Sequence, residues 1–403
     1  MPSDGARVFS PSDLNAFLAC PHLTSLELAV ARGGLERPFR PNPYGDLIRR
    51  KGDEHEAAYL ASLGEGVATI PDPHEVGWDH AAAATEQAIR DHPPVIYQAA
   101  LVDQDWHGLA DFLELQPVGT YEVVDTKLAR RAKPAHLLQL CFYTEQVARI
   151  QGSWPTYMHV VNGLGERESF KPDDFLAYYH RLRDRFLRAV ASHAPTYPYP
   201  VDHCSLCEFL ERCQRQWDRD DHLSLVAGIR RTQVERLNAA GVATLEDLAT
   251  TDAHVRKLRP ETLAKLRDQA ALQLNRRRTG ELQHQLLPLQ SERGFALLPE
   301  PSPGDIWLDF EGDPWYEAAR PLEYLTGWVH LDDGEPRYEH LWSLDREQEK
   351  AGFERFIDLV RERRARDPGM HVYHYAPYER TALQRMMGEH GTKEEELDDL
   401  LRG

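Results

Sequence analysis

Three side chains in one short stretch could act together on a divalent cation and a hydrolytic water: Asp111, Asp125 and Lys127. They lie in WHGLADFLEL, a turn at Gly119, and YEVVDTKLARRAKPAHLLQLCFYTEQV. Apolar runs on both sides of the glycine predict two adjacent strands, the second ending at Lys127. Strand alternation sends Asp125 and Lys127 to one face. Asp111 sits inside the first strand, where an unpaired carboxylate is costly. A strand-borne acid facing an Asp-x-Lys pair is what a hard divalent cation and a hydrolytic water require. Taken alone, Asp-Thr-Lys reads equally well as a salt-bridged surface strand. Pro134 suits the first turn of a following helix, on which Gln139 and Tyr143 stand one turn apart.

Other ligand-type residues lie further off. On a helix from about Asp46 to Leu63, Lys51, His55 and Tyr59 recur every fourth residue and share a face. His55 thus becomes a candidate ligand, with Glu56 beside it. Cys204, Cys207 and Cys213 are spaced C-x2-C-x5-C in a loop led by PTYPYP, and Cys20 is the candidate fourth thiol. Four thiolates serve zinc or an iron–sulfur cluster equally. Cys141 is left over, an apolar thiol beside Phe142.

These side chains need elements to hold them. The 403 residues predict two or three domains. Near the start, two short helices capped by Ser12 or Asp13 break at Pro21 and close at Gly33-Gly34. Strands are expected near Val67 to Ile70, Val95 to Ala99, Tyr157 to Val161 and Ser169. Helices are expected over Ala81 to Ile89 and up to about His193, giving a mixed sheet covered by helices. From Asp221 to Arg278 the texture is helical, with turns at Gly241-Val242 and a capping box at Thr244–Asp247. A Pro- and Glu-bearing connector then leads to DIWLDFEGDPW, a strand with Asp309 and Glu311 on one face and a Gly-Asp-Pro turn. Strands near Tyr324 to His330 and Arg337 to Trp342, a helix over Arg346 to Arg364, and a strand-to-helix stretch through Glu379 follow.

Composition constrains the partners. Five cysteines in a chain this long do not make a disulfide framework, and a reducing compartment favours metal binding. Met1 to Ser10 lacks a signal-peptide core and no apolar run spans a bilayer, so a cytoplasmic protein without a membrane partner is expected. The net charge of −18 opposes a nucleic-acid partner in bulk. The balance is uneven, however. Arg130, Arg131 and Lys133 follow the Asp-x-Lys strand, and Arg230, Arg231, Arg276, Arg277 and Arg278 bracket the helical segment. Either cluster reads as a phosphate contact or as a solvated face.

The ordered set Gly52-x-x-His55-Glu56, Gly108-Leu-Ala-Asp111, Asp125-Thr126-Lys127, then Gln139 and Tyr143, resembles the RecB-like branch of the PD-(D/E)XK nuclease superfamily. The resemblance implies an α/β fold over residues 1–219, a restriction-endonuclease-like mixed sheet flanked by helices. It implies a Mg2+- or Mn2+-dependent DNase, an exonuclease, acting on single strands or DNA ends in repair, recombination or defence. In that reading His55, Asp111, Asp125 and the Thr126 carbonyl bind the ion, Lys127 orients the water, and Gln139 and Tyr143 position the strand. The alternative is an inactive DNA-binding module serving a helicase. One early cysteine plus C-x2-C-x5-C resembles the iron–sulfur staple of RecB-like nucleases, which implies a [4Fe-4S] cluster on Cys20, Cys204, Cys207 and Cys213, with Zn2+ as the alternative. Residues 220–285 resemble a helix-hairpin-helix module. Residues 286–403 resemble a ribonuclease-H-like exonuclease of the DEDD type, with Asp309, Glu311 and Glu379 as a second candidate site. There Glu379 stands in place of the usual Asp and no third acidic motif precedes Gly403, so an incomplete region is expected. A superfamily I helicase commonly follows this layout, in cis or in trans.

Overall fold

In the computed structural model, residues 8–192, 194–317 and 320–402 are described. Helix ends expected at His193, the Gly403 endpoint and most of Met1–Ser10 lie outside those residues. The chain divides into two units, Met1–Gln285 and Leu286–Gly403.

The first unit opens with α1 (Pro11–Ala19) and α2 (Pro21–Ala31), then α3 (Pro43–Ser62). The cap of α1 is Ser10 rather than Ser12 or Asp13: its hydroxyl accepts from the Asp13 backbone N–H, and Asp13 returns a bond to the cap backbone. With Pro11 at the first helical position, the helix starts two residues earlier than a cap at Ser12, and three earlier than one at Asp13, would give. Next come β1 (Val67–Thr69), α4 (Pro73–Val76), α5 (Trp78–Asp91), β2 (Val95–Asp103), β3 (Trp106–Leu115), β4 (Tyr121–Thr126), α6 (Pro134–Gln151), β5 (Met158–Val161), β6 (Arg167–Phe170) and α7 (Leu176–Ser192). The six strands form one mixed sheet in chain order. β1–β2 and β4–β5 are parallel and the other neighbours antiparallel.

That pattern follows from the connections. A tight Gly119 turn joins β3 to β4 antiparallel, whereas β4 to β5 is parallel and needs α6 as a crossover. Leu113, Val123, Leu138, Phe142 and Val160 build the main core between the sheet and its helices. On the other face, Tyr59, Leu60 and Leu63 of α3 close over Val95, Phe112, Val124 and Val161. Every residue of β4 is therefore buried, including Asp125 and Thr126. This is a mixed α/β layer structure with a central strand that carries an acid.

The unit continues with α8 (Leu210–Arg219), α9 (Arg231–Ala239), α10 (Leu245–Thr250) and α11 (Pro260–Thr279). Leu223, Val234, Leu237, Leu245, Leu248 and Leu266 give the last three helices their own core. Gly241, at φ +81°, supplies the left-handed turn from α9 to α10, and Thr244 with Asp247 forms the expected capping box. Arg277 pairs with Asp221, Arg278 with Glu246 at 2.6 Å, and Arg231 with Glu235 at 3.4 Å. Those three arginines answer acids of the module itself.

In the second unit, β7 (Ile306–Glu317), β8 (Arg320–Asp332) and β9 (Glu335–Trp342) form an antiparallel run. Helix α12 (Arg346–Arg366) crosses back to β10 (Val372–Tyr373), which lies parallel to β7. Helices α13 (Tyr378–His390) and α14 (Glu394–Arg402) follow. The expected Gly-Asp-Pro turn is absent. β7 runs on through Gly312, Asp313 and Pro314 with two register shifts, and irregular pairing of this kind lets a proline sit in a strand.

Candidate functional site

The site forms where the sheet opens. The last backbone pair between β3 and β4 is Phe112↔Val124, so the next positions, Asp111 and Asp125, face each other where the strands part. The Asp111 side chain takes over the missing ladder: its Oδ2 accepts from the Thr126 backbone N–H at 2.9 Å and from Thr126 Oγ1 at 3.0 Å. Asp125 is fully buried, with Oδ2 2.6 Å from Lys127 Nζ, while Oδ1 has no hydrogen-bond partner. Burial, and then the neighbouring Asp111 carboxylate, push the Asp125 pKa well above the ordinary range. Burial alone would lower the Lys127 pKa, but Asp125 and Asp111 outweigh it and hold the ammonium charged.

Side chains from α3 and α6 close the site. His55 Nε2 lies 3.3 Å from the Val161 carbonyl, which also accepts the Lys127 backbone N–H at 2.9 Å. The ring thus stands at the level of the acids, with Nδ1 the nitrogen left over. Glu56 Oε1 accepts from Tyr97 OH at 2.9 Å and from Gln98 Nε2 at 2.5 Å. Burial first, then Asp111, raise the Glu56 pKa, so this carboxyl belongs to the same electrostatic cluster. On α6, Gln139 Nε2 donates to Tyr143 OH at 2.8 Å, and the buried Tyr143 feels the charges of Asp125 and Asp111.

Gly108 makes that approach of α6 to β3 feasible. A Cβ there would stand 2.7 Å from both Phe142 Cε1 and Tyr143 Cε1. The glycine of Gly-Leu-Ala-Asp is therefore needed for close packing, not for an unusual backbone. Arg130, Arg131 and Lys133 are exposed on the loop after β4, and none makes an ion pair among the described residues. The loop itself is pinned by Ala132 N–H donating to Glu168 Oε1 at 2.8 Å and Asn162 Nδ2 donating to the Arg130 carbonyl at 3.1 Å.

Residues 46–214 match the PD-(D/E)XK nuclease superfamily. No curated protein matches the chain. The matched stretch takes in most of α3, the whole sheet, α6, α7 and the late cysteines, so the open strand end just described lies in the part of the chain that is similar to that superfamily. Metal-dependent nucleic-acid hydrolysis is the chemistry that superfamily suggests.

Among the described residues, no three His, Cys, Asp or Glu side chains close into a ready metal cage. Mg2+ keeps several waters and takes one or two carboxylates plus substrate phosphate oxygens. The unpartnered Asp125 Oδ1 beside Asp111 is a fitting donor set for such an ion. No helix is long and apolar enough to cross a membrane among those residues.

Four thiols line one pocket, without closing into a metal-binding group among the described residues. Cys20, at the break between α1 and α2, lines one pocket with Cys204, Cys207 and Cys213. Leu23, Leu26, Phe209 and Trp217 enclose them. The Val201 backbone N–H donates to Cys204 Sγ at 3.4 Å. Burial, followed by the other three thiols, pushes Cys213 up to about 11. Cys141 stays apart, buried on α6, where burial pushes it up to about 12.

The acids of the second unit do not converge in this way. Asp309 and Glu311 are exposed on β7, whereas Glu379 is buried on α13 with its Oε2 3.3 Å from His374 Nδ1. Sequence reasoning missed Tyr97, Gln98 and His136. The first two form a polar pair inside the apolar run VIYQAALV, a signal that was available. His136 is pushed down to about 4 by burial and by Lys127 and Lys133.

Proposed function

We propose that the protein is a metal-dependent deoxyribonuclease that hydrolyses phosphodiester bonds of single-stranded DNA or DNA ends, working as an exonuclease. The observation that carries the reading is the buried Asp125 with an unpartnered Oδ1, facing Asp111 and touching Lys127. Asp111, Asp125, His55 Nδ1 and the Thr126 carbonyl would hold Mg2+ or Mn2+. When bound, such an ion polarises the scissile phosphate and lowers the pKa of a coordinated water. An imidazole among the donors favours Mn2+ as a competitor. Lys127 keeps its proton, orients the attacking water and offsets charge building on the phosphate oxygens. Gln139 and Tyr143 hold the strand from α6. Arg130, Arg131 and Lys133 meet phosphates, which localises attraction on a chain that is acidic overall.

The domains in this reading are 1–219 for the nuclease, 220–285 for a helix-hairpin-helix-like module and 286–403 for a ribonuclease-H-like region whose acids do not cut. Cys20, Cys204, Cys207 and Cys213 hold a [4Fe-4S] cluster that ties the α1–α2 break to α8 and the loop before it. The chain acts in the cytoplasm with a helicase, in repair, recombination or defence. Incubation of the purified protein with end-labelled single-stranded DNA and Mn2+ tests the activity. Cleavage that disappears in Asp111→Ala is expected. No cleavage, or cleavage unchanged by that substitution, points instead to a DNA-binding module without catalysis. Anaerobically purified protein is expected to be brown; a colourless preparation with stoichiometric zinc rules out the cluster.

A further inference from the structure

The row of the sheet that carries the two acids extends one strand further than the acids themselves. Between β2 and β3 the ladder pairs Tyr97 with Phe112 and Ala99 with Ala110, in one unbroken register. Gln98 and Asp111, between those pairs, are not joined. No residue is inserted, so this is not a bulge. The cause is local: Gln98 takes φ +57°, in the left-handed region, inside a strand. A residue with a Cβ adopts that conformation at a cost, and rarely in a sheet. Gln98, Asp111 and Asp125 therefore lie in a row across β2, β3 and β4, at the level where the sheet opens.

The left-handed backbone has a visible use. The Gln98 side chain reaches α3 and its Nε2 donates to Glu56 Oε1, the same oxygen that accepts from Tyr97 OH. Two donors on one oxygen fix the carboxylate plane. Glu56 Oε2 accepts no hydrogen bond among the described residues, and Gln98, which holds Oε1, stands beside Asp111 in the row. We propose that Gln98 is a positioning residue which, through its left-handed backbone and its amide, holds Glu56 as the third acid of the Asp111–Asp125 site. This deepens the nuclease reading and rests on it. The carboxylate that follows His55 in the sequence becomes part of the site because two neighbouring residues of β2 hold it there.

Gln98→Gly separates this role from a structural one. Glycine accepts φ +57° without strain, so the fold should melt at the wild-type temperature or slightly higher. The amide is lost, so Mn2+ affinity of the DNA-free protein, measured by calorimetric titration, should weaken about tenfold, as for other residues that orient ligands. The kcat should fall while KM for DNA stays near its wild-type value. Glu56→Gln should weaken Mn2+ binding at least as much, and the double variant should lose no more than Glu56→Gln alone. Wild-type Mn2+ affinity in Gln98→Gly overturns the proposal while leaving the nuclease reading intact. A wild-type protein that neither binds Mn2+ nor cuts DNA overturns both.

Discussion

Both units bury carboxylates, and they treat them differently. In the second unit Glu323 and Glu349 are 2% and 1% exposed. Glu323 accepts from Tyr378 OH at 3.0 Å and from Arg385 Nη2 at 2.8 Å. Glu349 accepts from the Glu323 backbone N–H at 2.8 Å, from Arg346 at 3.1 Å, and meets His390 Nε2 at 2.9 Å. Glu323 and Glu349 are each answered from several directions, and their network ties β8 to α12 and α13, while the buried Glu379 keeps an Oε2 without a hydrogen-bond partner, 3.3 Å from His374. In the first unit, Asp125 is as deeply buried, yet a single ammonium answers it, with a second carboxylate alongside. Burial of an acid thus says little about function. The number of donors that meet it decides, because an under-answered buried charge persists only where something else completes it.

The sharpest break of that contrast is a pair of substitutions. Asp125→Asn is expected to reduce Mn2+-dependent cleavage by about 10^3-fold or more, the scale of losing metal-based stabilisation of the transition state. Asp309→Asn on the exposed β7 face should leave the rate unchanged. Equal losses from the two, read from single-turnover cleavage of end-labelled DNA, would move the active site to the second unit. Next in size is Arg385→Met, which leaves Glu323 without its guanidinium and Glu389 with Arg346 alone at 3.6 Å. Breaking a buried pair on one side costs about 3–5 kcal/mol, so the second unit should unfold at distinctly lower denaturant. Unchanged unfolding would show that the network is not what holds α13 to the sheet.

How much of this was legible in the sequence follows from what each signal depends on. The β3–β4 hairpin and α6 were readable because alternation, the Gly119 turn and Pro134 are local. The convergence of Asp111, Asp125 and Lys127 followed from strand alternation once the hairpin was placed. Gln98 could not be read in full, since its backbone twist exists only opposite Asp111 in the folded sheet. Ser10 was missed as a cap because Asp13 suggested one, when its side chain in fact returns a bond to Ser10. The pairing of Arg277 and Arg278 with Asp221 and Glu246 needed partners 56 and 32 residues away, which no charge count reveals.

Gly108→Ala tests how finely the first site is packed. The added methyl meets two aromatic rings at 2.7 Å, so Phe142 and Tyr143 must shift. Overpacking of this kind costs about 1–3 kcal/mol. Because Tyr143 carries the hydroxyl held by Gln139, cleavage should slow beyond what the lost stability explains. A urea midpoint that falls while the rate of the folded fraction is unchanged would reduce Gly108 to a packing residue.

The smallest expected effect is in pH. His136 is pushed down to about 4 by burial, with Lys127 and Lys133 adding to it, whereas an unfolded histidine titrates near 6.5. Between those values the unfolded chain binds the proton that the folded one refuses, so stability is full above pH 6.5 and declines as pH falls towards about 4. His136→Gln removes that proton and should flatten the decline in melting temperature across this window, with no change at pH 8. Burial is the larger cause of the neutral imidazole and the Lys127 charge adds to it, so Lys127→Met should narrow the acid limb of His136 without removing it. An acid limb of unchanged width would show that the ammonium does not act on the ring.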